Sequence, residues 1–236
     1  MTSAPTLSVV IPIHNEAAYL PGALPRLRTE LDALGEPYEV ILAENGSTDG
    51  TDRVAAHLAA DDPDHLRVLN LPEPNYGAAM RAGFRAAAGQ WVVNFDIDYF
   101  SGGFLRAALA LSGAADLVLA SKRAPGADDR RSRLRRLGTL AFNRLLRLLF
   151  RSQVTDTHGM KMVRRPVVEE IVPLVRSTLD LFDTELVIRA ERAGYRIAEV
   201  PALVEEQREA RSPFLSRVPR TLLGLVRIRW QLWREA

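Results

Sequence analysis

Short apolar runs alternate with amphipathic stretches through the first half of the chain. Residues 7–13 (LSVVIPI) form a β-branched run closed by a turn-prone His14-Asn15-Glu16, which predicts a buried first strand. Residues 17–34 then carry Leu20, Leu24, Leu27, Leu31 and Leu34 at helical spacing, with Gly35 and Pro37 as stop signals. The pattern continues with a strand over 38–43, a turn-rich loop over 44–50, a helix over 51–60 and a strand over 66–71. A small-residue helix over 77–88 follows, then a strand over 91–95 (WVVNF) that runs straight into Asp96. Strands alternating with helices predict an α/β fold, with a mostly parallel sheet flanked by helices. Ligands of such sheets bind at the carboxyl ends of the strands. Glu16, Glu44-Asn45 and Asp96-Ile97-Asp98 each follow a strand, so the pattern places them on one rim.

Later the periodicity loosens. A fifth strand is expected over 115–120, a polar loop over 121–132, an amphipathic helix over 134–150 and a polar segment over 155–163. Helices over 165–175 and 184–193, an edge strand over 195–200 and a basic tail over 208–236 complete the reading. With 47% hydrophobic residues among 236 and no internal repeat, one domain with one sizeable core is expected. Its halves are residues 6–125 and 126–236. The net charge of +2 hides an uneven distribution, with acidic residues early and arginines late. Lysine occurs only at Lys122 and Lys161, so nearly all positive charge is guanidinium, which suits forked contacts to phosphates and carboxylates. The absence of cysteine excludes disulfides and thiolate metal sites. Residues 1–5 lack a leader pattern, and no apolar run is long enough to span a bilayer. The expected location is cytoplasmic, dissolved or peripheral on a membrane.

Asp96 and Asp98 flank a single residue just after an apolar strand. Carboxylates at i and i+2 near a turn can share one hard cation, Mg²⁺ or Mn²⁺, with substrate phosphates completing its shell. A solvated loop pair is the plain alternative. At the first strand's end, in Pro12-Ile13-His14-Asn15-Glu16, the Asn15 amide and Glu16 carboxylate can read a nucleobase edge or a ribose; equally, Asn15 can cap a helix with Glu16 in its first turn. Ser47, Thr48 and Asp49 suit a turn and the start of the next helix. The four histidines show no paired metal-ligand spacing.

Several segments in order carry a resemblance: VVIPIHNE (9–16), ENGSTDGT (44–51), NYGAAMRAGFRAAAG (75–89), FDID (95–98), SKR (121–123), Arg135-x-x-x-Thr139-x-x-x-Asn143, DTHGMK (156–161) and GYRIAEVP (194–201). Over residues 7–212 the chain resembles family 2 inverting glycosyltransferases of the GT-A fold. It is most similar to the polyprenyl-phosphate, dolichol-phosphate-mannose-synthase-like branch. The resemblance implies a nucleotide-sugar half over 6–125, with Pro12, Asn15, Glu16 and one of Glu44 and Asn45 facing the nucleoside. It implies that Asp96 and Asp98 hold metal and diphosphate, and that Lys122 or Arg123, with Arg135 and Thr139, hold an acceptor phosphate. The sequence departs from the family pattern in four places. Glu44-Asn45 stands where two aspartates are usual and Phe100 where a glutamine often follows the acidic pair. Gln207 occupies an arginine position, and Pro213 replaces a lysine.

The acceptor sets the chemistry. A lipid phosphate is already ionised and needs placement rather than a base, whereas a hydroxyl needs a carboxylate to take its proton. Asp183 and Glu185 are the candidates for that base, although both also fit the first turn of a helix. Arginines among leucines over 134–150 and again over 217–233 describe helices lying on an anionic membrane surface, or else core-packing helices with a soluble outer face. Arginines interleaved with leucines, and no recognisable binding module, argue against a nucleic-acid partner.

Overall fold

The computed structural model describes residues 5–129, 133–178, 181–204 and 214–235; the side chains of 129, 133–135, 203–204 and 214–217 lie outside the description. Its centre is a seven-stranded sheet in the order β3-β2-β1-β4-β7-β5-β8. The strands are β1 (Leu7–Ile13), β2 (Tyr38–Asn45), β3 (Leu66–Leu71), β4 (Trp91–Asn94), β5 (Leu117–Ser121), β7 (Lys161–Arg164) and β8 (Ile197–Pro201). A two-residue pair, β6 (Asp128–Asp129) with β9 (Leu203–Val204), lies apart from them. All pairings in the large sheet are parallel except those of β7, which runs antiparallel between β4 and β5.

Helices cover both faces. On one side α1 (Leu20–Asp32), α2 (Thr51–Asp61) and α4 (Gly102–Ala110) pack Leu20, Leu27, Leu31, Phe104 and Leu105 against Val9, Ile11, Leu42 and Val93. On the other, α3 (Tyr76–Ala86), α6 (Arg165–Ile171) and α7 (Phe182–Arg192) bury Met80, Phe84, Val167, Phe182 and Leu186 against Val10, Ile41 and Val92. Because successive side chains of a strand point to opposite faces, Val9 and Val10 end up in different cores. Strand β1 is central and apolar on both sides, which its unbroken β-branched run foreshadows. Helix α3 lies close to it: a Cβ on Gly83 would stand 2.3 Å from Val10 Cγ1. A third, smaller cluster joins α5 (Arg133–Phe150), α7 and α8 (Phe214–Arg234) through Leu146, Phe150, Ile188, Leu225, Ile228 and Leu232.

The periodicity reading meets the structure closely up to residue 95, with three adjustments. Helix α1 begins at Leu20 with Tyr19 before it, so Asn15 does not cap it. Strand β2 runs on through Glu44 and Asn45, which pair with Asn70 and Leu71 of β3 rather than opening a loop. Helix α3 starts at Tyr76, its side-chain cap being Asn75 Oδ1 accepting from Ala78 N at 3.0 Å. Further on, α4 has no counterpart in that reading, since Gly-Gly at its start masks the pattern. The end of the segment expected to be irregular over 155–163 opens strand β7, which continues to Arg164. Its polar first residue, Lys161, is the reason the strand does not announce itself.

Candidate active site

The carboxyl ends of β1, β2 and β4 meet around an open cleft of about 380 Å³, whose lining includes Pro12, His14, Glu16, Asn45, Tyr76, Asp96 and Asp98. Register explains the convergence, since Ile13 pairs with Glu44 and Val10 with Asn94. Two loops are stitched together on this rim. Asn15, at φ 56°, donates its backbone N–H to Ser47 Oγ at 2.9 Å and accepts from Thr48 N at 2.9 Å. Its side chain is therefore spent on the second loop, and the residue is exposed. Glu16 N donates to Thr51 Oγ1 at 2.7 Å, and Asp49 Oδ1 accepts from Thr51 N at 3.0 Å at the start of α2. Glu44 turns back to accept from Ser47 N at 2.6 Å. Asn45 lines the cleft; its side-chain oxygen accepts from Asn75 N at 2.6 Å, and its carbonyl lies 2.8 Å from His14 Nδ1. Gly46 sits at φ +62°, where a Cβ would meet the Glu73–Pro74 backbone at 2.9 Å, so this loop requires glycine.

Asp96 begins a tight turn closed by paired backbone hydrogen bonds with Tyr99, of 3.0 and 3.3 Å. Protein surrounds its carboxyl on most sides, yet the residue opens to solvent through the cleft mouth. Its pKa is pushed up to about 6, first by removal from bulk water, then by the charges of Asp183 and Asp98, against the ammonium groups of Lys161 and Lys122.

Beneath Asp96 lies a buried polar cluster. Lys161 is fully buried, and its Nζ donates to Asp183 Oδ1 at 2.8 Å, to Asn94 Oδ1 at 3.0 Å and to Gly159 O at 2.8 Å. Tyr76 Oη donates to the other Asp183 oxygen at 2.7 Å. The Tyr76 hydroxyl is held well above its ordinary pKa by burial and then by Asp183 and Asp96, so it stays protonated and keeps donating. All three ammonium protons of Lys161 thus have acceptors, which is the condition for keeping a charge in the interior. Asn94 held a signal for this, as a lone polar residue in the apolar strand WVVN, whereas Lys161 lay in a segment read as polar and gave none. Tyr76 gave no such signal.

The acceptor-side predictions come apart in the structure. Lys122, just past β5, is largely buried and donates to Asp156 Oδ2 at 3.0 Å. Arg123 is exposed and donates its backbone N–H to Ser121 Oγ at 3.1 Å. Asp156 also accepts from His158 N at 3.0 Å. Glu199 of β8 accepts from Thr155 N at 2.8 Å and Asp156 N at 3.1 Å. Helix α5 supports the same loop: Asn143 donates to the Thr155 carbonyl, and the Phe142 ring meets His158 edge-on at 5.3 Å. The His158 imidazole is lowered from its ordinary pKa chiefly by burial. Thr139 lies one turn before Asn143, on the same helix face. The Arg135 side chain falls outside the described residues, as do Asp180, Gln207, Arg208 and Pro213.

Glu185 is corrected by its surroundings. It is wholly buried below the rim, where it accepts from Arg189 Nε at 2.7 Å and from the backbone N–H groups of Arg176 and Ser177 at 3.1 and 2.7 Å. A carboxylate so neutralised is a structural strut and not a base for an incoming acceptor. Asp183 is near Asp96 but is likewise committed, to Lys161 and Tyr76.

Helices α5 and α8 pack into the core on one face and carry exposed apolar side chains on the other. Their inner faces build the third core, while Leu137, Leu140, Leu148, Leu222, Leu223, Val226, Trp230 and Trp233 remain exposed among Arg144, Arg147, Arg227 and Arg229. Among the described residues, no helix is long and apolar enough to cross a membrane.

A mostly parallel sheet with an acidic pair just after a central strand, facing a cleft at the strand ends, defines the GT-A class of fold. The chain belongs to glycosyl transferase family 2, whose sequence profile matches residues 8–172. It is 32% identical over 239 aligned residues to glycosyltransferase AglD of Haloferax volcanii, covering 96% of this chain and 37% of that protein. It is 42% identical over 99 residues to an undecaprenyl-phosphate 4-deoxy-4-formamido-L-arabinose transferase of Aeromonas hydrophila, covering 41% of this chain and 30% of that one. The chain thus spans about a third of the length of these two relatives. Among solved structures it is similar to glucosyl-3-phosphoglycerate synthase from Mycobacterium tuberculosis in complex with Mn²⁺, UDP and phosphoglyceric acid. The TM-score is 0.66 at 22% identity, over 95% of this chain and 78% of that one. It is also similar to the mannosyltransferase PcManGT from Pyrobaculum calidifontis in complex with GDP-Man and Mn²⁺, at TM-score 0.59 and 22% identity, over 93% and 61%.

Proposed function

We propose that this domain transfers a hexose from a nucleotide-sugar of the GDP-mannose or UDP-glucose type to a polyprenyl phosphate, with inversion and with Mg²⁺ or Mn²⁺ held by Asp96 and Asp98. The observation that carries the reading is an open acidic pair after β4 whose neighbour across the rim is the fixed ammonium of Lys122 after β5. The carboxylates fit a hard cation. They offer oxygen donors, and a divalent ion would offset what raises Asp96, which is burial first and then the charges of Asp183 and Asp98. Among the described residues no group of three His, Cys, Asp or Glu side chains could hold a metal, so phosphate and water oxygens would complete the shell.

A bound cation would neutralise the negative charge that grows on the departing diphosphate. The chain's own residues do the rest. Pro12, Glu16 and Asn45 line the place for the nucleoside, while Asn15 holds the two rim loops together. Lys122 places an anionic acceptor oxygen for attack on the anomeric carbon from the side opposite the diphosphate. The new bond forms there as the bond to the diphosphate breaks, and no proton need move. Among the described residues, Asp183 and Glu185 are each bound to a cation of the chain other than Lys122, which favours an acceptor that arrives ionised. The undecaprenyl-phosphate relatives support the same class of acceptor. The apolar, arginine-edged outer faces of α5 and α8 fit attachment to the cytoplasmic leaflet, where such a lipid would be met.

The test is a transfer assay with GDP-mannose and UDP-glucose, each with Mn²⁺ or EDTA, against a short polyprenyl phosphate in anionic vesicles. Metal-dependent formation of the lipid-linked hexose, and flotation with the vesicles at low salt, are expected. Transfer to a sugar or small-molecule hydroxyl, with no use of the lipid phosphate, overturns the reading.

A further inference from the structure

Strands β5 and β8 pair with Leu119 beside Glu199 and Ser121 beside Pro201. Side chains alternate along a strand, so Ser121 and Glu199 stand on one face of the sheet, a diagonal step apart. Thr155 joins them. Its Oγ1 lies 2.7 Å from Ser121 Oγ and 2.9 and 3.0 Å from the two carboxylate oxygens of Glu199. Glu199 also receives the backbone N–H groups of Thr155 and Asp156, at 2.8 and 3.1 Å. These contacts fix the direction of the chain. A carboxylate only accepts, so the single hydroxyl proton of Thr155 goes to Glu199. Thr155 Oγ1 must then accept from Ser121. Ser121 Oγ accepts in turn from the backbone N–H groups of Arg123 and Ala124, both at 3.1 Å, which curls the backbone around Lys122.

The same contacts surround one ammonium. Lys122 Nζ donates to Asp156 Oδ2 at 3.0 Å and to His158 O at 3.4 Å. It carries three protons, so among the described residues one donor position of Lys122 has no acceptor. Asp156 is buried, and its other oxygen accepts from His158 N at 3.0 Å. The pair therefore holds the ammonium in place and still leaves one N–H for a ligand. The Lys122 side chain is only 12% exposed, so its direction decides whether that N–H meets the rim. Glu199 reaches it from two sides: through the Asp156 backbone N–H, and through Thr155 and Ser121 to the turn that carries Lys122. Neither Ser121, Thr155 nor Glu199 lines the donor cleft.

We infer that Glu199 is a positioning residue for the transfer reaction, acting through the Thr155 and Ser121 hydroxyls to aim the Lys122 ammonium. The inference rests on the proposed reading in which Lys122 places an ionised acceptor, and it adds the side chains that set that placement. A chain in which every proton has one place to go has one arrangement. Without the carboxylate at its end, both hydroxyls could turn, and the turn around Lys122 would lose its fixed direction.

The experiment measures KM and kcat with the full chain, Mn²⁺, the better of GDP-mannose and UDP-glucose, and a short polyprenyl phosphate in anionic vesicles. It compares Thr155→Val, which removes the linking hydroxyl at nearly constant shape, with Thr155→Ser, which keeps it, and with Glu199→Ala. Melting temperature reports folding, and Thr155→Val carries the test if Glu199→Ala does not fold. Thr155→Val and Glu199→Ala are expected to raise acceptor KM about tenfold, the effect of breaking one buried hydrogen bond. Donor KM should stay within about twofold of the parent, and Thr155→Ser should keep the parental acceptor KM. On a Lys122→Ala background, Thr155→Val should add nothing, because the group it aims is gone. A purely structural role adds the same loss on both backgrounds, and that result overturns the inference. So do folded Thr155→Val and Glu199→Ala variants with the parental acceptor KM; either outcome leaves the proposed function standing. Lys122→Ala with an unchanged acceptor KM removes both the inference and the proposed role of Lys122. A parent protein that uses no polyprenyl phosphate removes the proposed function and the inference together.

Discussion

The proposed donor and acceptor sides of the rim are built by different means. On the donor side the backbone does the placing: β1, β2 and β4 run parallel, with Ile13 beside Glu44 and Val10 beside Asn94, so Glu16, Asn45 and Asp96 are carried to one rim. On the acceptor side, side chains do it. Glu199 holds Thr155 and Asp156, Asp156 holds Lys122, and Asn143 of α5 closes the set. Between them the antiparallel strand β7 reaches the rim with its beginning rather than its end, so the residues before it (155–160) come to the rim. A sheet fixes positions through many hydrogen bonds at once, whereas a relay of single contacts can be broken one residue at a time.

That contrast can be tested from the strongest effect downward. Asp98→Ala should reduce metal-dependent transfer by about 10³-fold while the fold stays intact, because it removes charge stabilisation aimed at the leaving group. The check is kcat in Mn²⁺ with melting temperature as a control, and activity within about tenfold of the parent would remove Asp98 from the donor site.

Lys161→Met probes the hinge between the two sides. It leaves Asp183 buried without its cation, and breaking a buried pair in this way costs about 3–5 kcal/mol. Urea unfolding should show the loss, and Lys161→Met with Asp183→Asn should recover part of it. A single variant as stable as the parent would mean that the pair contributes nothing to the fold.

Lys122→Ala should raise KM for the phosphate acceptor by about 10–100-fold, the range of a charge-assisted contact, with donor KM little changed. Equal effects on both substrates would show that the two sides are not separable at this residue.

The smallest effect concerns pH. The Asp96 pKa is raised to about 6, so without metal this carboxyl is protonated below that pH and charged above it. Its ionisation is harder in the folded state than in the unfolded chain. Stability from the protonated form is therefore present at low pH and is lost as pH rises through about 6. Cation binding runs the other way, since it needs the ionised carboxylate. The rise in melting temperature given by Mn²⁺ above that pH should shrink as pH falls below about 6, and a pH-independent shift would place the ion elsewhere.

How much of this can be read in the residues follows the same division. Residues 7–13 match their strand because buried parallel strands are continuous apolar runs bounded by turns. Residues 66–71 match theirs because exposed Arg67 and Asn70 interrupt a run of leucine and valine only at the sheet's edge. Asp96-Ile97-Asp98 is legible because an acidic pair directly after such a run is carried to the sheet's edge by the direction of the strand alone. The two clefts, the Lys161–Asp183 pair and the burial of Glu185 are not legible in that way. Residues 161 and 183 are 22 positions apart, and no spacing rule brings a strand's first residue to a helix's first turn. Glu185 looks available for the same reason that Asp183 does, since both lie in the first turn of α7; the orientation of α7 sends one to Lys161 and the other to Arg189.

The order of residues was enough to set the alternation of strands and helices, the sidedness of the rim and the acidic pair on it. Those depend on local periodicity and on the direction of a chain through a parallel sheet. Which charges stay open to a ligand, and which neutralise one another in the interior, was settled by packing in three dimensions. Burial and pairing come from contacts between segments far apart in the chain, and the energy of a charge depends on those contacts more than on its neighbours along the backbone.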